Sequence, residues 1–502
     1  MPPDEEVPLL AVRRSGEGFV AQGVHAARFG HPVPDPDSAI PDGCYAGWSW
    51  DAQTGLTVET DRLGMQPLYY ALGPGSIMLS PSVPALIRAG VPDDLDLEAL
   101  SVILRCGYAP GDDTLFAAVR RFPPRAEVRW TGRAFEVSGR ADPVRQHSLS
   151  FDATMDAFID ALRGAVRRRL ALCGRFVLPL SGGKDSRLLG ALLAETGAVP
   201  AHSITLAHWP PRNQQDLAFG TQAARALGFP HETLAQPRRI AGNLVLGFHL
   251  TSFATPEHGW YVPLRKRLAA IGLPTFDGLG GDLVAGGLSQ SAELSRLMRE
   301  DVDGAARACA GLRRGYCLGD EGVAALVAPR LRPKLTRAVA EARIAREIRK
   351  VADWPNPTLR FFIMNRMRKG IAPGAFGVLG VVPSHMPYLD RRICDLMQAT
   401  PEAYLFDHQF RQKAIARVRP DLAAIPYEGG VPGLWRGYDA GRERWFAIDA
   451  LRRVVSQRSR VIDRPAALRR LAETAVRGND RTAHWWGPRL ALFLLEAEGL
   501  RR

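Results

Sequence analysis

No two cysteines in this chain are spaced for a disulfide framework or a metal knuckle. The six (Cys44, Cys106, Cys173, Cys309, Cys317 and Cys394) are scattered along 502 residues, with no CxxC among them. That excludes a disulfide-stapled secreted scaffold and a zinc ribbon, and it points to a reducing cytoplasm. Long apolar runs are missing too. Each is broken by Arg, Gly or Pro well short of the ~20 residues a membrane-spanning helix needs, so no membrane span is expected. The opening MPPDEEVPLL has no basic stretch leading into an apolar one, which argues against a secretory signal. Lysine is scarce: only Lys184, Lys266, Lys334, Lys350, Lys369 and Lys413 occur, so Arg carries nearly all of the net charge of +13. Basic clusters such as Arg167-Arg168-Arg169 lack interleaved aromatics and read as solvated helix faces, so no nucleic acid is expected as a partner.

The remaining 46% hydrophobic and 23% charged composition is that of a soluble globular protein. The length predicts two to four domains. Residues up to about 140 read as β-rich: Tyr45–Trp50, Leu56–Glu59 and Pro67–Leu72 are short, partly alternating and separated by Gly, Asp and Pro. A polar stretch at Gly139–Ser150 fits a linker and divides the chain into 1–145 and 146–502. Beyond it, the helical pattern Phe151–Leu172 leads into strand, turn and helix, and the rest is mainly helical.

The strongest chemical feature is the stretch from Arg175 to Arg187, RFVLPLSGGKDSR. Phe176–Leu180 has the length and apolar character of a buried parallel strand. Ser181, Gly182 and Gly183 can turn sharply and present free N–H groups, and a helical pattern follows. Such a turn at a helix N-terminus favours an anion. The spacing departs from GxxxxGK[ST] and matches SGGxDS, the pyrophosphate-binding PP-loop of enzymes that cleave ATP between its α and β phosphates. Leu180, Ser181, Gly182, Gly183, Asp185 and Ser186 are therefore expected at the nucleotide. Asp185 beside phosphate suggests a role through Mg²⁺ or in holding the loop. Ala201–Leu206 reads as a second strand, Asp216–Leu227 as a helix and His231–Leu234 as a third strand. Ligands of open parallel sheets sit beyond strand C-termini, which puts Ser203 and Thr205 near the adenine, with His208 and Trp209 as possible contacts. A Gly-Asp cluster follows at Phe276–Asp282. There Gly278 and Leu279 are expected at the nucleotide, and Asp277 and Asp282 as carriers of Mg²⁺.

Taken together these residues resemble the asparagine synthetase family. Phe276–Asp282 resembles its SGxGxD segment, and Val382–Asp390 its R-x-P-F-L-D region. Asp61–Tyr70, DRLGMQPLYY, is similar to the D-R-x-G-x-x-P-L-Y-Y stretch of its glutaminase domain, and Leu95–Pro124 resembles the segments that close that domain. The resemblance implies an α/β protein. In front would stand a degenerate αββα domain of the N-terminal-nucleophile hydrolase type, followed by a PP-loop adenine-nucleotide α-hydrolase-like synthetase domain with a helical C-terminal part. It implies ATP and Mg²⁺ as cofactors and a carboxylate as substrate.

The departures carry as much information. Glutaminases of this class use an N-terminal Cys, whereas Pro2 stands here and the first cysteine is Cys44, so no glutaminase activity is expected. Leu279 stands where the family has Glu, and Tyr427 stands near a usual lysine. Cations for pyrophosphate would then come from Lys184, Arg187, Arg411 or Lys413. A general base for the amine is expected among Tyr388, Asp390, His385 and Glu428. Relatives lacking the Cys include β-lactam synthetases and lasso-peptide cyclases, and SGGKDSR is more similar to the latter. The implied reaction is AMP-forming activation of a carboxylate and macrolactam closure of a ribosomal peptide, with a precursor-binding protein or a protease as partner. An ammonia-dependent synthetase acting on a small acid and a PP-loop tRNA-modifying enzyme stay open as alternatives.

Overall fold

A computed structural model describes residues 7–207, 214–287, 290–312, 317–406, 409–427, 440–478 and 482–500. The front of the chain builds two antiparallel sheets. The larger has the order Gly18–Gly23, Leu10–Ser15, Ser76–Ser80, Tyr69–Gly73 and Arg120–Arg121; the smaller joins Ala26–Val33, Asp42–Asp51 and Gly55–Thr60. A further hairpin, Glu127–Trp130 with Phe135–Ser138, completes the strands. The alternation seen in the sequence places one face of each strand inward. Leu10, Val12, Trp48, Val58, Ile77 and Leu79 interlock in one buried cluster. Helices Val83–Arg88 and Leu97–Cys106 pack in a second cluster with Tyr69 and Ala71 of the larger sheet.

The DRLGMQ motif serves structure. The buried Asp61 carboxylate accepts N–H bonds from Leu63, Met65 and Gln66, all at 3.0 Å. Gly64 sits at φ +62°, in the left-handed region that favours glycine. Arg121, fully buried, donates to the carbonyls of Gly64 and Met65, each at 2.8 Å, and to that of Arg368. Arg368 itself donates to Gly64 O at 3.2 Å, Phe122 O at 2.6 Å and Asp112 at 2.7 Å. A buried guanidinium is tolerated when most of its donors are met; here backbone carbonyls and Asp112 take all but the Nε–H of Arg121 and fasten the two halves together.

The rear half holds a five-stranded parallel sheet ordered His231–Ala235, His202–Ala207, Val177–Pro179, Thr275–Phe276, Ser384–His385. Helices Lys184–Glu195, Gln215–Leu227 and Val262–Ile271 lie along the crossovers. The last strand, only two residues long, lies in the Pro-marked stretch near Val382–Pro387 that reads in the sequence as a break. It is reached through a helical excursion of about a hundred residues that includes the π-helical segment Ile363–Ile371. Arg169 corrects the reading of its cluster as solvated. It is 1% exposed and bonds Asp390 at 2.8 Å and Asp42 of the smaller front sheet at 3.2 Å, while Arg168 reaches Asp390 at 2.5 Å. Among the described residues no helix is long and apolar enough to cross a membrane.

Candidate active site

Val177–Pro179 is the central strand, with Thr275–Phe276 on one side and His202–Ala207 on the other. Just past its end the chain turns through Ser181–Gly183 into the helix Lys184–Glu195. This is where neighbouring crossovers of a doubly wound sheet diverge and leave a crevice. A cleft of about 340 Å³ lies there, lined by Leu180, Ser181, Asp185, Ser186, Gly278 and Leu279 among others.

Local bonds hold the turn open. Ser186 Oγ accepts from Ser181 N at 3.0 Å and lies 3.1 Å from Ser181 Oγ, which in turn accepts from Gly183 N at 3.1 Å. Gly182 N donates to Asp216 Oδ1 at 2.9 Å. A Cβ on Gly182 would come within 3.0 Å of the Asp216 backbone, so the close approach of that helix requires glycine. The Gly-Asp cluster packs from the other side. A Cβ on Gly278 would lie 2.9 Å from Ser186 N, and one on Gly281 would lie 2.6 Å from the Asp185 carboxylate. These glycines let the cluster press against the first turn of the loop helix.

Asp185 is the electrostatic centre. Its carboxylate is ion-paired with Arg411, and it faces the same cleft as Asp282. Burial pushes its pKa up to about 6; Arg411 opposes the rise and the charge of Asp282 adds to it. Asp277 also lines the cleft and accepts from Leu279 N at 2.8 Å, and burial brings its carboxyl to about 6. Lys184 holds its ammonium 5.0 Å from the centre of the Tyr427 ring, with its pKa lowered by burial and by Arg411. Among the described residues no group of three or more His, Cys, Asp or Glu could hold a metal. Magnesium, however, commonly takes one or two carboxylates plus substrate phosphates and water. Asp185 and Asp282, two carboxylates with excess negative charge beside the loop, fit that pattern.

Several expected site residues have other roles. Arg187 is fully buried, and its guanidinium is taken up by backbone carbonyls. It donates to Gly182 O at 3.0 Å, Leu422 O at 3.0 Å, Ile425 O at 2.6 Å and Pro426 O at 3.0 Å, with Tyr427 stacked 4.3 Å away. Ser203 Oγ turns to Pro230 O at 2.7 Å and Thr205 Oγ1 to Leu180 O at 2.5 Å, whereas Ile204 and Leu206 line the cleft. The two-residue period of a strand decides this, because adjacent side chains face opposite ways. Tyr388 is buried, its phenol held well above the usual range by burial and Asp185, and its hydroxyl donates to Asp185 O at 3.0 Å. Through that bond it braces the loop helix. Burial would raise Asp390, but Arg169 and the other groups bonded to it outweigh that and leave it at about 2, where it caps the helix Arg391–Gln398. His385 packs edge-on against His31, ring centres 4.2 Å apart, and burial pushes it down to about 3. Lys413 sits over Phe151, 5.0 Å from its ring centre. Glu428, His208 and Trp209 lie outside the described residues.

Sequence reasoning missed Trp260 and Tyr261, which form one wall of the cleft with ring centres 3.8 Å apart, and it missed Ile371. It read Asp216 only as the start of a helix. An acidic residue in the first turn of the next helix was the one available sign of a loop-holding role.

A turn of this kind at the crevice of a parallel sheet, ringed by carboxylates and an arginine, defines an enzyme that handles a nucleotide's phosphates. Comparison with known families is more specific. The glutamine amidotransferase domain matches residues 39–138, and asparagine synthase matches residues 157–360. The chain thus joins a glutamine amidotransferase-like front domain to an asparagine synthase domain, and is an ATP-dependent amide ligase. No curated protein matches it.

Proposed function

We propose that the protein activates a peptide carboxylate by adenylation, releasing pyrophosphate, and then joins it to an amine of the same peptide to close a macrolactam. The observation that carries this reading is the Ser181–Ser186 turn, open to a cleft with Asp185, Asp282 and Arg411 beside it. The nitrogen source follows from the thiols. All six cysteines are at least half-buried, and burial followed by the charge of Asp61 holds Cys44 well above the usual thiol range. Burial likewise raises the thiols of Cys173, Cys309 and Cys394, so none of these four is poised as a thiolate to attack glutamine. Leu279, an apolar side chain where the family resemblance places Glu, marks a rebuilt acceptor side of the cleft.

In this reading the carboxylate oxygen attacks the α phosphorus, pyrophosphate leaves, and the amine then attacks the acyl carbon and expels AMP. Magnesium, held by Asp185 and Asp282, would neutralise phosphate charge. The N-terminal end of the helix Lys184–Glu195, which has no side-chain cap, and the Lys184 ammonium take up the charge of the departing pyrophosphate, while Arg411 holds Asp185 in place. Leu206, Leu264, Trp260 and Tyr261 keep water from the mixed anhydride. Asp277, near 6, has a basicity suited to receive the amine proton. Holding amine and carbonyl on one chain can supply on the order of 7–11 kcal/mol of the barrier. A precursor-binding protein or a protease would be its partner in the cytoplasm.

Purified enzyme with labelled ATP and a peptide bearing a free N-terminal amine and an acidic side chain tests this. AMP, pyrophosphate and a peptide lighter by one water are expected; ADP as the nucleotide product would overturn the adenylation step. The lack of a thiolate equally suits free ammonia as donor, so ammonium-dependent amidation of a small acid, with the peptide inert, would replace the macrolactam reading. The amidotransferase-type front domain argues against a tRNA substrate.

A further inference from the structure

A second cavity, of about 280 Å³, opens at the seam between the two halves and shares no lining residue with the nucleotide cleft. Its walls come from Pro123–Pro124 of the front domain, Gly139–Ala141 of the connector, and the segments bearing Trp354 and Arg360–Arg368. The volume lies just below the usual range of ligand pockets, about 300–1,000 Å³, so it suits a small molecule and not a folded partner.

The charges around it do not balance. Asp112 is held by Arg368 at 2.7 Å. Glu347 is held by Arg343 at 2.7 Å and by Lys350 at 2.9 Å. Both acids on the wall therefore already have partners. Arg360 does not. It is 5% exposed, has no carboxylate partner among the described residues, and makes one hydrogen bond, to Gln398 Oε1 at 3.1 Å. Its guanidinium lies over the Trp354 ring at 4.2 Å. Burial, then Arg62 and Arg368, lower it to about 10, and Cys394 and the more distant Asp142 oppose them only in part. Arg140 adds a second cation. It is 62% exposed and reaches Asp142 only at 4.0 Å, an acid already taken by Arg62 at 3.0 Å and Arg125 at 2.8 Å. A buried cation left without a counter-charge is costly, and an oxyanion is the group that relieves it.

We propose that this seam cavity binds a small organic acid, its carboxylate or phosphate head on Arg360 and Arg140 and a short apolar body against Trp354, Met364 and Pro123–Pro124. The site is separate from the nucleotide cleft, and its occupant bridges the front domain and the helical part of the synthetase half.

Calorimetric titration of the full chain with phenyl phosphate and with 3-phenylpropanoate tests this, with 3-phenylpropanol as the uncharged control. Saturable binding of an acid and none of the alcohol is expected, and the tighter acid identifies the head group. Arg360→Met should weaken the acid by roughly tenfold or more, as expected for a lost charge-assisted contact. It should leave ATP–pyrophosphate exchange unchanged and raise the melting temperature of the acid-free protein. Arg140→Ala alters an exposed side chain that cannot decide folding, and it should weaken binding several-fold; it settles the matter if Arg360→Met does not fold. No saturable binding of either acid at millimolar concentration would overturn the proposal. So would unchanged affinity in both variants.

Discussion

The turn at Asp61–Gln66 in the front domain and the turn at Ser181–Ser186 in the synthetase half are fastened alike. In each an aspartate accepts backbone N–H, three for Asp61 and one for Asp216, a glycine permits the fold, and a buried arginine grips turn carbonyl oxygen: Arg121 in one, Arg187 in the other. The difference lies in what is left over. Around the first turn the charges are paired off: Arg62, at the rim of a surface cleft, is held by Asp142 and Asp395, and Arg368 by Asp112. Around the second, Asp185, Asp277 and Asp282 still face open space with Lys184 beside them. A motif can thus persist for its fastening alone, and residual charge at a cleft separates a working site from a retained scaffold.

The sharpest way to break that contrast is Asp185→Asn. Its loss should lower ATP–pyrophosphate exchange about 10²–10³-fold, the range for removing one electrostatic stabiliser, with circular dichroism unchanged. Exchange at the wild-type rate would make this turn a scaffold as well. Asp277→Asn comes next. A carboxyl raised from 3.8 to about 6 favours its protonated form in the folded state, so it leaves stability untouched below pH 4 and lowers it progressively as pH rises to 6. The variant should therefore gain on the wild type between pH 4 and 7, by up to about 3 kcal/mol in denaturant unfolding. Its ring-closing rate should lose the rise through pH 6 that the wild type shows. An unaltered pH profile would remove Asp277 as the base. The smallest effect belongs to the front domain. Cys44→Ala should cost about 1 kcal/mol and leave amide formation unchanged. Glutamate released from glutamine by the wild type and abolished in this variant would restore chemistry to the front half.

The sequence exposed those features that short-range chemistry dictates. The strands of the front domain, the SGGKDSR turn and the helix after it follow from local pattern, and DRLGMQPLYY pointed to the family. Sidedness was harder. His202–Ala207 alternates Ser203 and Thr205 with Ile204 and Leu206, but both faces are largely buried, so polarity alone assigns the wrong pair to the cleft. Ser384–His385 is too short to show a period. Trp260 and Tyr261 reach the cleft only because the Val262–Ile271 helix packs there, and no spacing near them announces it. Arg187 misled because a cation beside a phosphate loop looks like a ligand, while its partners lie far away in the chain.

Those partners have a consequence for how the protein is made. Three of the four carbonyls that Arg187 holds lie 235, 238 and 239 residues downstream. A chain emerging from its N-terminus can form the strand and helix on either side of the turn early. It cannot satisfy the Arg187 guanidinium that grips Gly182 until Leu422–Pro426 arrives, and contacts of such span are the slow ones to form. The nucleotide loop would then be among the last parts of the molecule to mature, so a half-made enzyme has little means of consuming ATP.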